Sequence, residues 1–279
     1  MTYLLYNPLS NNSNLKEKLD SIINELKQTY PDLIEYDVTE YDYLEFARNS
    51  KDTDTTILVG GDGTINYFAN NYKKTKVKGN ILFYPGGTGN DFSNDLEIHT
   101  ELIDLKKYME NLPKVKVKGK EYYFINNVGF GLDGMVCQIA DELKAKGKKK
   151  ISYASISIKL LLYKYKTCKA KVTVDGETKE YKKVWLAPAM NGRCYGGGML
   201  MAPNQDRNSD KMTCIVLHGS LRLRILFIFT TIFKGTHIKY KKLVEVLEGK
   251  KIHVEFEKPT AVQIDGETIK DVKEYTATK

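Results

Sequence analysis

The stretch from Thr55 to Asn70, TTILVGGDGTINYFAN, limits the possible folds more than any other in this chain. Its opening residues are β-branched or aliphatic, as in a strand buried on both faces. They run into Gly60-Gly61-Asp62-Gly63-Thr64, and a helical pattern begins at once. Glycines there let the backbone approach a ligand, and amides at a helix N-terminus favour phosphate. Asp62 is the odd member, because a carboxylate repels phosphate unless a cation intervenes. The pairing therefore points to a Mg²⁺–nucleotide site. The same residues would also make a plain tight turn between strand and helix.

A second glycine loop, Pro85-Gly86-Gly87-Thr88-Gly89-Asn90-Asp91-Phe92, follows the next apolar run, Ile81 to Tyr84. Two such loops ending successive parallel strands face one crevice. No GxxxxGK[ST] occurs, which excludes a P-loop. A GxGxxG does occur at Gly129 to Gly134. The acid that a dinucleotide fold needs about twenty residues later is missing, because that region is lysine-rich and acid-free. Asp-Gly-Glu appears at Asp175 to Glu177 and again at Asp265 to Glu267; each reads as an exposed hairpin turn, and local sequence does not choose between them. The four histidines are isolated and show no ligand spacing.

Strands at Tyr3 to Tyr6, Leu33 to Val38, Thr55 to Val59 and Ile81 to Tyr84 alternate with helical patterns at Leu15 to Leu26 and Tyr43 to Arg48. That alternation predicts an α/β domain with a parallel sheet covered on both faces. After Pro113 the texture becomes mainly β, as in a sandwich, with candidate strands at Lys114 to Lys118, Tyr122 to Val128, Ala170 to Val174, Lys182 to Ala189, Thr213 to Leu217, Ile252 to Phe256 and Ala261 to Ile264. Helices are expected at Met135 to Lys146 and Ser155 to Tyr165. The boundary is placed near residues 113 to 120. A length of 279 residues and four unpaired-looking cysteines fit a reduced, two-domain protein.

The net charge of +8 is unevenly spread. Leu143 to Val174 holds ten Lys and no acid, and Lys211 to Val244 holds seven Lys or Arg and no acid. The remainder has 26 basic and 35 acidic residues. Local basicity suits an anionic membrane or a nucleic acid. Nucleic acid is not expected, because no aromatic-interleaved motif accompanies the charge.

In order along the chain stand NP at Asn7-Pro8, GGDGT, PxGTxND, the glycine-rich Gly196 to Asp210, and the terminal DGE. This series resembles the diacylglycerol-kinase catalytic-domain family, particularly its soluble bacterial, YegS-like lipid kinases. GGDGT alone is shared with NAD kinases; the series is more specific. The resemblance implies an N-terminal three-layer α/β nucleotide domain over residues 1–115. It implies a C-terminal β-sandwich lipid-substrate domain over 116–279, whose last segment is free to return to the first domain. It implies transfer of the γ-phosphate of ATP to a lipid hydroxyl held in the cleft between the domains, with diacylglycerol the expected acceptor and phosphatidic acid the product.

By the same resemblance, ATP meets Asn7, Pro8, Leu9, Ser10, Asn11, Thr39, Gly61, Asp62, Gly63, Thr64, Ile65, Asn66, Tyr67 and Thr88. Asp62 and Asp91 belong to a network around catalytic Mg²⁺. A structural Mg²⁺ maps onto Asp210 with the main chain of Arg207 and Met212. Glu267 or Asp265 is the base that takes the lipid hydroxyl proton. The chain departs from the family's pattern at Asn11-Asn12, where a glycine and often a base is usual. It departs again at Tyr67, where an acid is expected, and at Lys116, where the strand commonly reads KVD. The other readings are a soluble-metabolite kinase of the NAD-kinase type and a non-catalytic nucleotide- or lipid-binding relative.

A lipid kinase must reach a bilayer. The lysines of 144–150 are read as attraction to an anionic membrane surface, and the apolar runs at Ile156 to Tyr165 and Leu221 to Phe233 as core helices with solvated cations. No signal peptide is evident, so the expected location is cytoplasmic, peripheral to the inner face of the membrane. A homodimer is compatible with the reading.

Overall fold

The computed structural model describes the chain apart from residues 8–12, 41–42, 76, 88, 100, 149–150 and 220, and describes the backbone alone at 13–18, 43–44 and 73–75. It forms two units, Met1–Leu112 and Pro113–Lys279. The first comprises β1 (Thr2–Tyr6), α1 (Ser13–Thr29), β2 (Leu33–Asp37), α2 (Tyr43–Asn49), β3 (Thr55–Gly60), α3 (Asp62–Thr75), β4 (Asn80–Pro85), α4 (Asp91–Leu96), β5 (Ile103–Asp104) and α5 (Lys106–Glu110). Strand order is β2-β1-β3-β4-β5. The first four are parallel and β5 runs against β4.

Hydrophobic periodicity explains these elements. Ile57 and Val59 are fully buried at the centre of the sheet, as the unbroken apolar run predicts. Ile22, Ile23 and Leu26, three positions of the α1 stripe, pack with Leu4, Ile57 and Val59; the Leu15 side chain lies outside the described residues. Strand order reverses between β1 and β3, since the chain goes outward from β1 to β2 and then crosses back. In open parallel sheets such a reversal opens a crevice at the strands' C-terminal ends. Here those ends are Asn7 after β1 and Gly60 at the end of β3.

The second unit comprises β6 (Lys114–Val117), β7 (Lys120–Tyr123), β8 (Asn127–Phe130), α6 (Leu132–Ala145), α7 (Tyr153–Lys159), a π-helical turn at Leu160–Lys164, β9 (Cys168–Val174), β10 (Glu177–Val184), β11 (Ala189–Met190), β12 (Cys194–Tyr195), β13 (Met199–Leu200), β14 (Met212–Leu217), α8 (Arg222–Ile232), β15 (Val244–Gly249), β16 (Lys251–Ile264) and β17 (Glu267–Thr278). Its main sheet is antiparallel, in the order β15-β14-β11-β8-β16-β17-β6-β7, with β9 and β10 branching from β16. β17 pairs with β16 and β6, so the last strand completes the second unit.

Three strand readings change. Ile252 to Phe256 and Ala261 to Ile264 are one strand, β16, whose register against β17 shifts between Glu255 and Thr260, around Pro259. Its first half pairs with β9 and its second with β8. Tyr122 to Val128 is instead two strands, because the amides of Ile125, Asn126 and Asn127 leave the ladder to bind a side chain, Asp265. The run from Lys182 to Ala189 is broken after Val184, next to a register shift that leaves Lys183 at φ 53°.

The core on this sheet holds Phe130, Phe256 and Tyr275, with ring centroids 4.3 Å apart for Phe130–Phe256 and 5.6 Å for Phe130–Tyr275. The Tyr275 hydroxyl is fully enclosed and donates to the Ala187 carbonyl at 2.9 Å. Tyr275→Phe keeps the ring and leaves that carbonyl without its donor, which costs about 1–2 kcal/mol. Urea unfolding of the two proteins should show that loss with an unchanged m-value.

Candidate active site

The two glycine loops meet backbone to backbone. The amides of Gly86 and Gly87 both donate to the Gly60 carbonyl, at 2.8 and 3.0 Å. A Cβ on Gly87 would sit 2.6 Å from the Gly61 Cα, so a side chain cannot be accommodated at this contact. Neither glycine has a positive φ; closeness of approach is what excludes a Cβ.

Asp62, the first residue of α3, reaches across to the second loop. Its carboxylate accepts the amides of Asp91 and Phe92, both at 2.9 Å, and so caps α4. Asn90 stands beside it with φ 47°, its Nδ2 donating to the Gly87 carbonyl at 2.8 Å. Its Oδ1 is buried without a hydrogen-bond partner and faces the glycine pair. A buried acceptor left unpaired beside a contact that only glycine can form makes these loops the candidate site of the first unit.

Asn7, Thr39, Gly61, Asp62, Gly63, Thr64, Asn66 and Tyr67 are all brought to the C-terminal edge of the parallel sheet or the first turns of α3. Val38 donates to the Tyr6 carbonyl and holds the end of β2 beside the end of β1. The Thr39 hydroxyl donates to Asp37 at 2.6 Å. Ile65 differs from expectation: its side chain is wholly buried in the core, which leaves it no side-chain contact with a ligand. Pro8, Leu9, Ser10, Asn11 and Thr88 lie outside the described residues.

In the second unit the terminal DGE forms the β16–β17 turn. Asp265 and Gly266 have φ of 46° and 95°, the pattern of a primed hairpin turn. The Asp265 carboxylate accepts three amides, from Ile125 at 2.6 Å, Asn126 at 2.8 Å and Asn127 at 3.0 Å. Glu267, next but one, is exposed at the start of β17. The first DGE repeats the device, with Asp175 accepting the amides of Lys250 and Lys251 at 3.1 and 2.8 Å. The Asp of each motif is a structural anchor.

Comparison with known proteins agrees with this geometry. The model of the diacylglycerol kinase catalytic domain matches residues 1–120, and that of the YegS C-terminal NAD kinase beta sandwich-like domain matches residues 126–276. The chain belongs to the diacylglycerol kinase catalytic-domain family. It is a kinase, a phosphotransferase enzyme. A diacylglycerol kinase of Mycobacterium tuberculosis is 26% identical over 269 residues, covering 90% of this chain and 84% of that protein. The crystal structure of a diacylglycerol kinase from Bacillus anthracis superposes with a TM-score of 0.70 at 23% identity, over 100% of this chain and 94% of that one, and shows a shared fold.

Two Mg²⁺ positions are expected from the resemblance, and the residues found at them differ. At the first, Asp62 and the buried Asp91 adjoin through the bond between them, beside the unpartnered Asn90 Oδ1. Among the described residues no three His, Cys, Asp or Glu side chains gather to hold a metal alone. Mg²⁺ commonly takes one or two carboxylates and completes its shell with phosphate and water, so these residues fit it. At the second, Asp210 is exposed and ion-paired to the Lys250 ammonium, and the Arg207 carbonyl accepts the Lys279 ammonium at 2.7 Å. Two of the three expected ligands thus meet cations of the chain itself. Met212 is buried in β14. Lys116 is an exposed residue of β6, paired in register with Glu121 and Thr276.

Sequence reasoning missed a polar cluster under the hairpin. The buried Arg207 guanidinium donates to the Ile125 carbonyl at 2.5 Å and to Asn126 Oδ1 at 2.8 Å. Lys279 donates to Asn191 Oδ1 at 2.7 Å, and Asn191 donates back to the Ile125 carbonyl. Burial, then the nearby Arg207 charge, pushes the Lys279 ammonium down to about 8. These residues are up to 154 positions apart, and nothing local marks them. Asp133, inside the GxGxxG segment, carries no local signal either. It is enclosed at the start of α6 with Oδ2 unpartnered, and burial pushes its carboxyl up to about 7 although the Gly134 amide pulls the other way.

Two outcomes follow. Asp265→Ala strands three amides and should lower stability by about 2–4 kcal/mol, whereas Glu267→Ala should change it by less than about 0.5 kcal/mol; denaturant melts of both compare the roles. Asp133 is raised in the folded state above the ordinary carboxylate value near 4, so the folded chain holds a proton that the unfolded chain has released between about pH 4 and 7. Its contribution therefore falls as pH rises through that window, by about 1.4 kcal/mol per unit at most. In urea melts across pH 5 to 8, Asp133→Asn should become progressively more stable relative to the native chain.

Proposed function

We propose that the chain is an ATP- and Mg²⁺-dependent lipid kinase that phosphorylates diacylglycerol to phosphatidic acid. The observation that carries this reading is the joined pair of glycine loops at the C-terminal ends of β3 and β4, the first of them beside the sheet's switch point, with Asp62 bridging them, in a chain of this family. The α3 N-terminus and the glycine backbone suit the phosphates of a nucleotide, and the orphaned Asn90 Oδ1 suits a donor from ligand or bound water.

Mg²⁺, when bound, neutralises charge that builds on the phosphoryl oxygens during transfer. The chain's own residues position and move the proton. Asp62 and Asp91 would hold the ion's protein side. Glu267 is assigned as the base, because the Asp265 oxygens are committed to three amides while the Glu267 carboxylate is exposed. The lipid hydroxyl oxygen bonds to the γ-phosphorus, the bond from that phosphorus to the bridging oxygen breaks, ADP leaves, and Glu267 takes the hydroxyl proton. Asp265 is then a positioning residue that fixes the turn from which Glu267 projects.

The test uses purified chain, labelled ATP, Mg²⁺ and mixed micelles containing diacylglycerol. Glu267→Gln should reduce turnover by about 10²–10⁴-fold, the usual worth of a general base, at unchanged melting temperature. Asp62→Asn should lower both turnover and stability, since its carboxylate also caps α4. Full activity in Glu267→Gln would sink the assignment of the base. Absence of any phosphorylated lipid would sink the reading of the substrate.

A further inference from the structure

Large apolar side chains are not scattered over the surface of the second unit. Of twelve such side chains exposed among the described residues, eight lie between Tyr153 and Tyr163 or between Leu221 and Tyr240. Leu221 is 79% exposed, Leu223 75%, Phe227 59% and Tyr163 77%. The expectation that these runs are simply core helices is therefore only half met. Ile225, Ile228 and Ile232 of α8 are buried, yet the opposite side carries Leu223 and Phe227 where a surface helix would carry polar residues. A contiguous apolar face of this kind marks an interaction site.

Arg222 joins the two segments. Its guanidinium donates to the carbonyls of Leu161 at 2.7 Å and Tyr165 at 2.8 Å, at the end of the π-helical turn, and lies 5.6 Å over the Trp185 ring. Leu160, Leu161 and Tyr165 share one core with the buried side of α8. Phe227 also packs edge to face with Tyr240, at 6.2 Å.

Charge identifies the occupant. Arg224, Lys234, Lys239, Lys241 and Lys242 are exposed around α8, and Lys159, Lys164 and Lys166 around the π-helical turn. Neither acid-free segment offers a carboxylate to pair with them. Two copies meeting through this face would bring cation against cation, whereas an anionic surface complements it. No described helix is long and apolar enough to cross a membrane, and α8, at roughly 16 Å, is about half the hydrocarbon thickness.

We propose that this face docks the enzyme on an anionic phospholipid bilayer. Leu221, Leu223 and Phe227 enter the interface, and Arg224, Lys241 and Lys242 engage lipid phosphates. Docking stands on the surface itself; its consequence for turnover rests on the lipid-kinase reading.

The test is sedimentation of the full chain with vesicles rich in phosphatidylglycerol and with vesicles of phosphatidylcholine alone, in low and high salt. The native chain should bind the anionic vesicles and release in high salt. Leu223→Asn/Phe227→Asn and, separately, Arg224→Glu/Lys241→Glu/Lys242→Glu should each weaken binding by at least about tenfold. All altered side chains are exposed, and melting curves verify folding. Failure of the native chain to sediment, or equal binding by both variants, overturns the proposal. So does a native dimer in gel filtration that Leu223→Asn/Phe227→Asn converts to monomer, since a second copy then covers the face. Kinase assays separate the two claims: both variants should keep native turnover on a monomeric short-chain diacylglycerol and lose it on diacylglycerol in anionic vesicles. If the native chain binds vesicles but phosphorylates neither lipid, docking stands and the proposed function falls.

Discussion

The carboxylate of Asp62 sits where two loops would otherwise be independent. One end of the residue begins α3; the other accepts the first amides of α4. Together with the Gly60 carbonyl, which takes two amides of the second loop, it turns the ends of β3 and β4 into one rigid backbone surface. Preorganisation of this kind is what phosphoryl transfer requires, since positioning and charge neutralisation supply nearly all of the catalysis. The glycines at the contact follow from the same constraint, because a Cβ on either would push the loops apart.

The second unit uses aspartate in a parallel way. Asp175 and Asp265 each occupy the first position of a primed turn and each collects amides from a neighbouring segment. A carboxylate that accepts several backbone amides replaces lost ladder bonds with charge-assisted ones. Asp265 does so at the cost of splitting β7 from β8. The arrangement leaves Glu267 outside the amide cluster, on a turn whose position is fixed from below by Arg207, Asn126, Asn191 and Lys279.

The basic surface of α8 and the π-helical turn belongs to a different layer of the design. Apolar positions facing inward complete a core, while those facing outward are left among cations. The pattern of residues along the helix does not separate the two sides, because apolar residues stand on both sides of α8 and only its packing decides which side is enclosed.

Local chemistry was legible wherever one segment suffices. The period of apolar residues marked the strands and helices of the first unit, and glycine-rich loops after strands marked its candidate site. Asp-Gly marked both turns, and counting charge located the basic segments. What sequence could not show depends on partners distant along the chain. Nothing near Asp265 says that its oxygens belong to residues 125–127, nothing near Asp210 says that Lys250 neutralises it, and nothing in Ile65 distinguishes a core residue from a neighbour of the ligand. The sequence by itself determined the family, the two-part architecture and the types of residue available for catalysis. The tertiary structure decided which carboxylates are committed and which are free to act, because a carboxylate's role is set by the amides and cations that folding brings within hydrogen-bonding distance.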